Sequence, residues 1–270
     1  MQEGLLETAI EAARRAGEIQ LRGLRDERKI EFKGEIDLVT EVDRACERTI
    51  LEILKGRFPQ HDVITEESPM PLSGSPYRWI VDPLDGTVNY THRYPVFAVS
   101  IALELEGRLL LGVVYDPTRE ELFWAMRGKG AYLNGEPLRV SDTDELTRAL
   151  LVTGFPYDIR RSPVNNLDHF QNLILRAQAV RRDGCASLDL CYVAMGRFDG
   201  FWELKLRPWD VAAGTVIVEE AGGRVTDFDG RPVDIYRLEI AASNGLIHKE
   251  MLEVLRRGRR PTTESGNSPR

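Results

Sequence analysis

Apolar positions at the start of the chain recur with helical spacing. Leu5, Ala9, Ala13, Ala16 and Ile19 predict an opening helix. Val42, Cys46, Ile50 and Ile53 repeat the pattern and predict a second helix from Asp43 to Phe58, with Pro59 beyond its end. Strand-like runs follow: RWIV (78–81), VFAVSIALEL (96–105), RLLLGVVYD (108–116) and ELFWAMRG (121–128). Glu106-Gly107 and Asn134-Gly135 are turn pairs between antiparallel neighbours. The first half reads as two helices laid against a meander.

From about Leu146 strands and helices alternate. Strands are predicted at 149–154, 179–183, 200–204, 223–227 and 239–243. Helices are predicted at Leu167–Ala177, Ala186–Met195, Asp210–Ala221 and around His248–Leu255. That alternation predicts an α/β lobe. The expected division is an α+β N-terminal lobe over 1–145, an α/β C-terminal lobe over 146–260 and a disordered tail over 261–270. The tail, PTTESGNSPR, is polar and poor in apolar residues.

The chain has 270 residues, 42% hydrophobic and 29% charged, enough for one large domain or two lobes. A net charge of -7 argues against nucleic acid as a direct ligand, since no basic excess offsets phosphate repulsion. Cys46, Cys185 and Cys191 form no CxxC pair, which argues against structural disulfides and a zinc site. No stretch approaches the roughly 20 apolar residues of a membrane span, so a cytoplasmic protein is expected.

One passage concentrates chemistry. In WIVDPLDGTVN (79–89) a buried-type apolar run ends in Asp82 and Asp85, two carboxylates that repel each other unless a cation sits between them. The Leu84 carbonyl offers a third oxygen, and Gly86 and Thr87 offer amides where a helix could open onto an anion. Asp-Pro and Asp-Gly pairs are also ordinary turn text. HDVITEES (61–68) again runs from apolar residues into acids, Glu66 and Glu67. Asp210 precedes the small residues Ala212, Ala213 and Gly214, and can equally be a helix N-cap. Thr40 and Asp43 likewise read as a helix start. His92 reads as a packing or surface residue, Gly128 and Gly130 as turns, and Arg181-Arg182 and the Arg256–Arg260 run as solvated faces.

DPLDGTVN, with EES upstream and WDVAAGTVIVEEAGG downstream, resembles the inositol monophosphatase family of metal-dependent phosphatases. The resemblance covers about residues 5–256 in the family's motif order. It implies a sugar-phosphatase fold of layered helices and sheets, with the site between two lobes. It also implies that Glu66, Asp82, the Leu84 carbonyl, Asp85 and Asp210 are metal ligands, and that Asp43 and Thr87 orient the attacking water. Gly86 and Thr87 match phosphate-contacting amides, Glu203 a contact to substrate hydroxyls, and Ala186 a substrate-facing segment. Asp85, Arg207 and Asp210 are expected on the substrate side as well.

The ligands so assigned are all oxygen, which favours Mg2+ (two or three ions, with Mn2+ an alternative) over zinc. The activity implied is hydrolysis of a small phosphate monoester, foremost inositol 1-phosphate, by direct attack of water. Relatives act instead on fructose 1,6-bisphosphate, 3′-phosphoadenosine 5′-phosphate or histidinol phosphate, and Arg207 stands where animal members carry histidine. The resemblance further implies a homodimer and sensitivity to lithium. A bacterial relative serves as an accessory factor in ribosomal RNA transcription complexes, which gives a non-enzymatic alternative.

Overall fold

A computed structural model describes residues 2–25, 30–32, 38–68, 70–237 and 239–257. The expected disordered tail over 261–270 lies outside the described residues. The opening helix α1 (Gln2–Gly23) is followed by a small antiparallel pair, β1 (Ile30–Phe32) and β2 (Leu38–Thr40), and then by α2 (Glu41–Arg57).

A seven-stranded sheet comes next, built from β3 (Asp62–Thr65), β4 (Tyr77–Asp85), β5 (Ala98–Leu105), β6 (Arg108–Asp116), β7 (Glu121–Met126), β8 (Gly130–Leu133) and β9 (Glu136–Pro137) in that spatial order. The short α3 (Thr87–Thr91) lies between β4 and β5. β3 and β4 are parallel; the other neighbouring pairs are antiparallel. Glu106-Gly107 and Asn134-Gly135 take φ of +50°, +79°, +51° and +90°, the positive pair a two-residue hairpin turn requires.

The second half holds β10 (Leu150–Thr153), α4 (Leu167–Ile174), β11 (Ala179–Arg181), α5 (Ala186–Ala194), β12 (Gly200–Leu204), α6 (Pro208–Glu220), β13 (Arg224–Thr226), β14 (Glu239–Ser243) and α7 (His248–Arg257). Its sheet runs β11-β10-β12-β14-β13, with β10 parallel to both neighbours and β14 antiparallel to both of its own.

Three apolar clusters stack these parts into five layers. Ala9, Ala13 and Ala16 of α1 and Cys46, Ile50 and Leu54 of α2 bury against Trp79, Val81, Ile101 and Val113 on one face of the large sheet. The other face, through Ile80, Ala102, Val114 and Phe123, meets α5 and α6, which also cover Val152 and Phe201 of the second sheet. Leu173 of α4 and Met251, Val254 and Leu255 of α7 close the far face over Leu151, Trp202 and Ala241. Both α5 and α6 are buried along almost their whole length, because each has a sheet on two sides. The three cysteines are buried and free.

The structure departs from the expected elements at a few ends. The meander is preceded by β3, whose four residues are too short a run to separate from a turn. The helix expected over Leu167–Ala177 stops at Ile174, and the strand expected over 121–128 stops at Met126. The helix expected from Asp210 starts at Pro208, since proline at a first helical position gives up no hydrogen bond.

Candidate active site

Strand alternation alone would send Asp82 and Asp85, three residues apart, to opposite faces of the sheet. They face the same cavity because the ladder is irregular between them. Asp82 is opposite Ser100 and Asp85 opposite Ala98, so three steps on β4 match two on β5. That bulge turns the end of the strand and re-aims the second carboxylate. The chain leaves it through Gly86, which takes φ +91° and packs so closely that a Cβ there would lie 2.9 Å from the Val96 carbonyl. Both conditions select glycine.

The cavity has a volume of about 580 Å3. Glu66, Asp82, Leu84, Asp85, Gly86 and Thr87 from the first half of the chain line it together with Ala186, Glu203, Arg207 and Asp210 from the second. Six elements or their ends thus contribute: the loop after β3, the end of β4, the starts of α3, α5 and α6, and β12. Asp43 does not line the cavity. It is buried behind it on α2, where it meets the Thr87 hydroxyl at 3.2 Å. The same hydroxyl lies 3.1 Å from the Leu84 carbonyl oxygen.

Each aspartate is held by a backbone amide. The Leu84 N–H donates to Asp82 Oδ1 at 2.9 Å, the Ser187 N–H at the start of α5 to Asp85 Oδ2 at 2.7 Å, and the Arg207 N–H to Asp210 Oδ2 at 2.7 Å. Asp210 is therefore not the N-cap of α6. Arg207 holds that position, and Asp210 sits three residues later, fixing the helix start and facing the cavity at once.

The electrostatics are those of a site built for cations. Burial raises the Asp82 carboxyl well above the usual range, and Glu66, Asp85 and Asp210 raise it further. Burial likewise raises Asp210, aided by Asp85, and Asp85 itself. Like charges are left confronting one another in a low-dielectric wall, an arrangement a divalent cation reverses. As the side chains stand, no three His, Cys, Asp or Glu among the described residues are drawn around one metal-sized point. One oxygen of each aspartate is engaged with an amide, which leaves the other as the donor. The donor set is oxygen throughout and fits a hard cation.

Glu203 reaches the same cavity from β12. Burial pushes its carboxyl up to about 8, with Asp85 adding to the rise and Arg182 opposing it. Room for it is made by Gly154 at the end of β10, where a Cβ would lie 2.2 Å from Glu203 Oε1. Gly154 carries no motif signal, and only the fold shows its purpose. Arg182 is exposed, as expected of a solvated basic run, and also lines the cavity. His92 is exposed, and Gly128 and Gly130 form a turn whose amides donate to Glu220 at the end of α6.

A residue that sequence reasoning missed supports Glu66 from behind. Glu47, one helical turn after Asp43, is buried and accepts from the Thr65 hydroxyl (2.6 Å), the Glu67 and Ser68 amides (3.2 and 3.1 Å) and the Ser68 hydroxyl (2.6 Å). Those four bonds fasten both sides of Glu66. The signal available was an acid at i+4 from Asp43 on the apolar face of α2, a place where an unpaired carboxylate is costly.

Comparisons with known proteins agree with this geometry. The family model of the inositol monophosphatase family matches residues 1–260. An inositol-1-monophosphatase of Synechocystis sp. is 47% identical over 93% of this chain and 88% of its own length. A protein of Pseudomonas aeruginosa named Nus factor SuhB is 45% identical, covering 93% of this chain and 95% of its own. The solved inositol monophosphatase of Anabaena (Nostoc) sp. PCC 7120 superposes with a TM-score of 0.88 at 45% identity, over 95% of this chain and 96% of that one. A more distant structure, an IMPase/NADP phosphatase complexed with Mg2+ and phosphate, gives 0.81 at 27% identity, over 94% of each chain. The chain belongs to the inositol monophosphatase family, whose members are metal-dependent, and is a phosphoric monoester hydrolase.

Proposed function

We propose that this protein hydrolyses the monophosphate of a small polyol, with inositol 1-phosphate the leading substrate, using Mg2+ held by Glu66, Asp82, the Leu84 carbonyl, Asp85 and Asp210. The observation that carries the reading is the convergence of these acids on one cavity that Glu203 also lines. When bound, divalent cations supply neutralisation of the phosphoryl charge and a lowered pKa for water.

The chain's own residues do the rest. The Thr87 hydroxyl, set between Asp43 and the Leu84 carbonyl, holds the attacking water in line, and Asp43 receives its proton through that hydroxyl. The amides of Gly86 and Thr87, at the start of α3, position the phosphate. Glu203, Arg207 and the Ala186 segment meet the alcohol that leaves. Cys185 lines the cavity beside Asp85, but burial, with Asp85 adding to the rise, holds its thiol well above the usual range and so protonated, and direct attack by water is the fitting route.

A second reading has one specific observation behind it, the 45% identity to a Nus factor. A transcription-complex partner is compatible with the enzyme, because the binding surface need not be the cavity. A homodimer, lithium sensitivity and a cytoplasmic location complete the proposal; among the described residues no helix is long and apolar enough to cross a membrane. The deciding experiment is phosphate release with Mg2+ across inositol 1-phosphate, fructose 1,6-bisphosphate, 3′-phosphoadenosine 5′-phosphate and histidinol phosphate. Release from none of them overturns the enzymatic reading. Retention of RNA polymerase from a bacterial lysate tests the second.

A further inference from the structure

Lys205 connects the end of β12 to Arg207 at the start of α6 and takes φ +62°. This left-handed conformation crowds the Cβ of any residue but glycine. Lys205 lines the cavity, and its side chain reaches a second lining segment. Its ammonium donates to Asp158 Oδ2 at 2.7 Å and to the Ser162 hydroxyl at 2.8 Å.

The loop it reaches walls the site, since Phe155, Pro156, Tyr157 and Asp158 all line the cavity. The base of this loop is fixed by Asn166, which is buried. Its amide donates to Thr153 Oγ1 (2.9 Å) and the Gly154 carbonyl (2.6 Å), and its carbonyl accepts from Trp202 Nε1 (2.8 Å). The tip is organised on Asp158, whose carbonyl accepts from the Arg161 and Ser162 amides, both at 2.9 Å. Lys205 therefore holds two points of one tight turn. Releasing them removes two anchors of the tip while the base stays fixed to β10 and β12.

We infer that the Lys205–Asp158–Ser162 tether sets the span of the cavity over the leaving alcohol and selects compact phosphates against extended ones. Lys205 acts through the loop, as a positioning residue for specificity rather than a catalytic one. The inference rests on the phosphatase reading above. A tight tip leaves room beside Glu203 for a ring-sized alcohol and denies the length a nucleoside needs.

The test compares inositol 1-phosphate with 3′-phosphoadenosine 5′-phosphate, with Mg2+, in the wild type and in Lys205→Gly, Lys205→Ala, Asp158→Ala and the Lys205→Gly/Asp158→Ala double variant. Relative kcat/KM for the nucleotide should rise about three- to tenfold in each single variant, mostly through KM, as expected for losing a charge-assisted pair at a partly exposed site. The double variant should rise no further, because both changes cut one tether. Lys205→Gly should also melt higher than Lys205→Ala, since only glycine relieves the backbone. Unchanged ratios in an active enzyme, or changes that multiply in the double variant, overturn the tether alone. A wild type inactive on both substrates overturns the phosphatase reading and the tether with it.

Discussion

The Thr87 hydroxyl meets Asp43 at 3.2 Å and the Leu84 carbonyl at 3.1 Å. It has one proton and two acceptors, so a water approaching it finds a hydroxyl already committed to pass a proton inward. Asp43→Asn keeps the shape and removes the proton acceptor. We expect kcat to fall about 10²–10⁴-fold, the range for loss of a general base. Mg2+ binding measured by titration calorimetry should hold, because Asp43 stands behind the wall. Thr87→Ser should be much milder than Thr87→Ala, since serine keeps the hydroxyl. Full kcat in Asp43→Asn, or failure only through lost Mg2+, sinks the role.

Asp82 is the most crowded carboxylate, raised by its burial and then by Glu66, Asp85 and Asp210. Asp82→Asn should abolish most turnover while leaving the fold intact, because an amide oxygen can still accept from the Leu84 N–H. Without Mg2+ the variant should melt at or above the wild type, by about 2–4 °C for each kcal/mol of repulsion removed. Added Mg2+ should then stabilise the wild type more than the variant. Equal Mg2+ stabilisation of both proteins would place the cation elsewhere.

Much of this site was legible in the sequence because its acids lie beside motif glycines and at element ends. The helix periods and the two hairpin turns were legible for the same reason, since each is a local pattern. What was not legible was non-local. Nothing in DPLD announces the bulge that brings Asp82 and Asp85 to one face, because it is a property of pairing with β5. Gly154 and Lys205 owe their places to the approach of β12, about fifty residues from Gly154 in the chain. Arg182 reads as one more surface charge, and it is exposed, but the fold also sets it against the cavity.

The pair Gly154 and Glu203 shows how specificity can be probed from two sides. Glu203→Gln removes a carboxyl raised to about 8 and should change the ranking of polyol phosphates more than the Mg2+ midpoint. Gly154→Ala should imitate it without removing the carboxyl, because its Cβ would stand 2.2 Å from Glu203 Oε1 and push the side chain aside. Steady-state kinetics over the substrate panel checks both. If the Mg2+ midpoint moves strongly and the ranking does not, Glu203 belongs with the metal ligands.

His248 gives a pH prediction far from those acids. The Thr226 hydroxyl donates to the Asp227 carbonyl, so it must accept from His248 Nε2–H at 2.9 Å. That fixes Nδ1 as the acceptor of the Ser243 hydroxyl at 2.8 Å. A second ring proton would face that hydroxyl, and burial, with Arg224 nearby, lowers the imidazole from 6.5 to about 4. A depressed histidine contributes stability that is complete above pH 6.5 and is lost progressively as pH falls toward 4, because the unfolded chain binds the proton first. The contribution is on the order of 2–3 kcal/mol. Melting curves between pH 7.5 and about 4.5 should show a steeper loss in the wild type than in His248→Gln, which cannot titrate. Parallel curves would refute it.

Glu47 tests whether support behind the wall matters as much as the wall. Its Oε1 takes the Thr65 hydroxyl and the Glu67 and Ser68 amides, and its Oε2 takes the Ser68 hydroxyl. Glutamine can keep the first three with its carbonyl and offer its amide to Ser68, whose hydroxyl can turn to accept. Alanine leaves four donors around Glu66 without a partner, at about 1–3 kcal/mol for each one that stays buried. Glu47→Ala should therefore weaken Mn2+ binding, followed by the paramagnetic signal of the free ion, and raise the Mg2+ requirement for activity at least tenfold, the equivalent of about 1.4 kcal/mol. Glu47→Gln should recover most of both. A merely structural role would lower the melting temperature of Glu47→Ala and leave its Mn2+ affinity alone. That outcome would confine Glu47 to holding the fold.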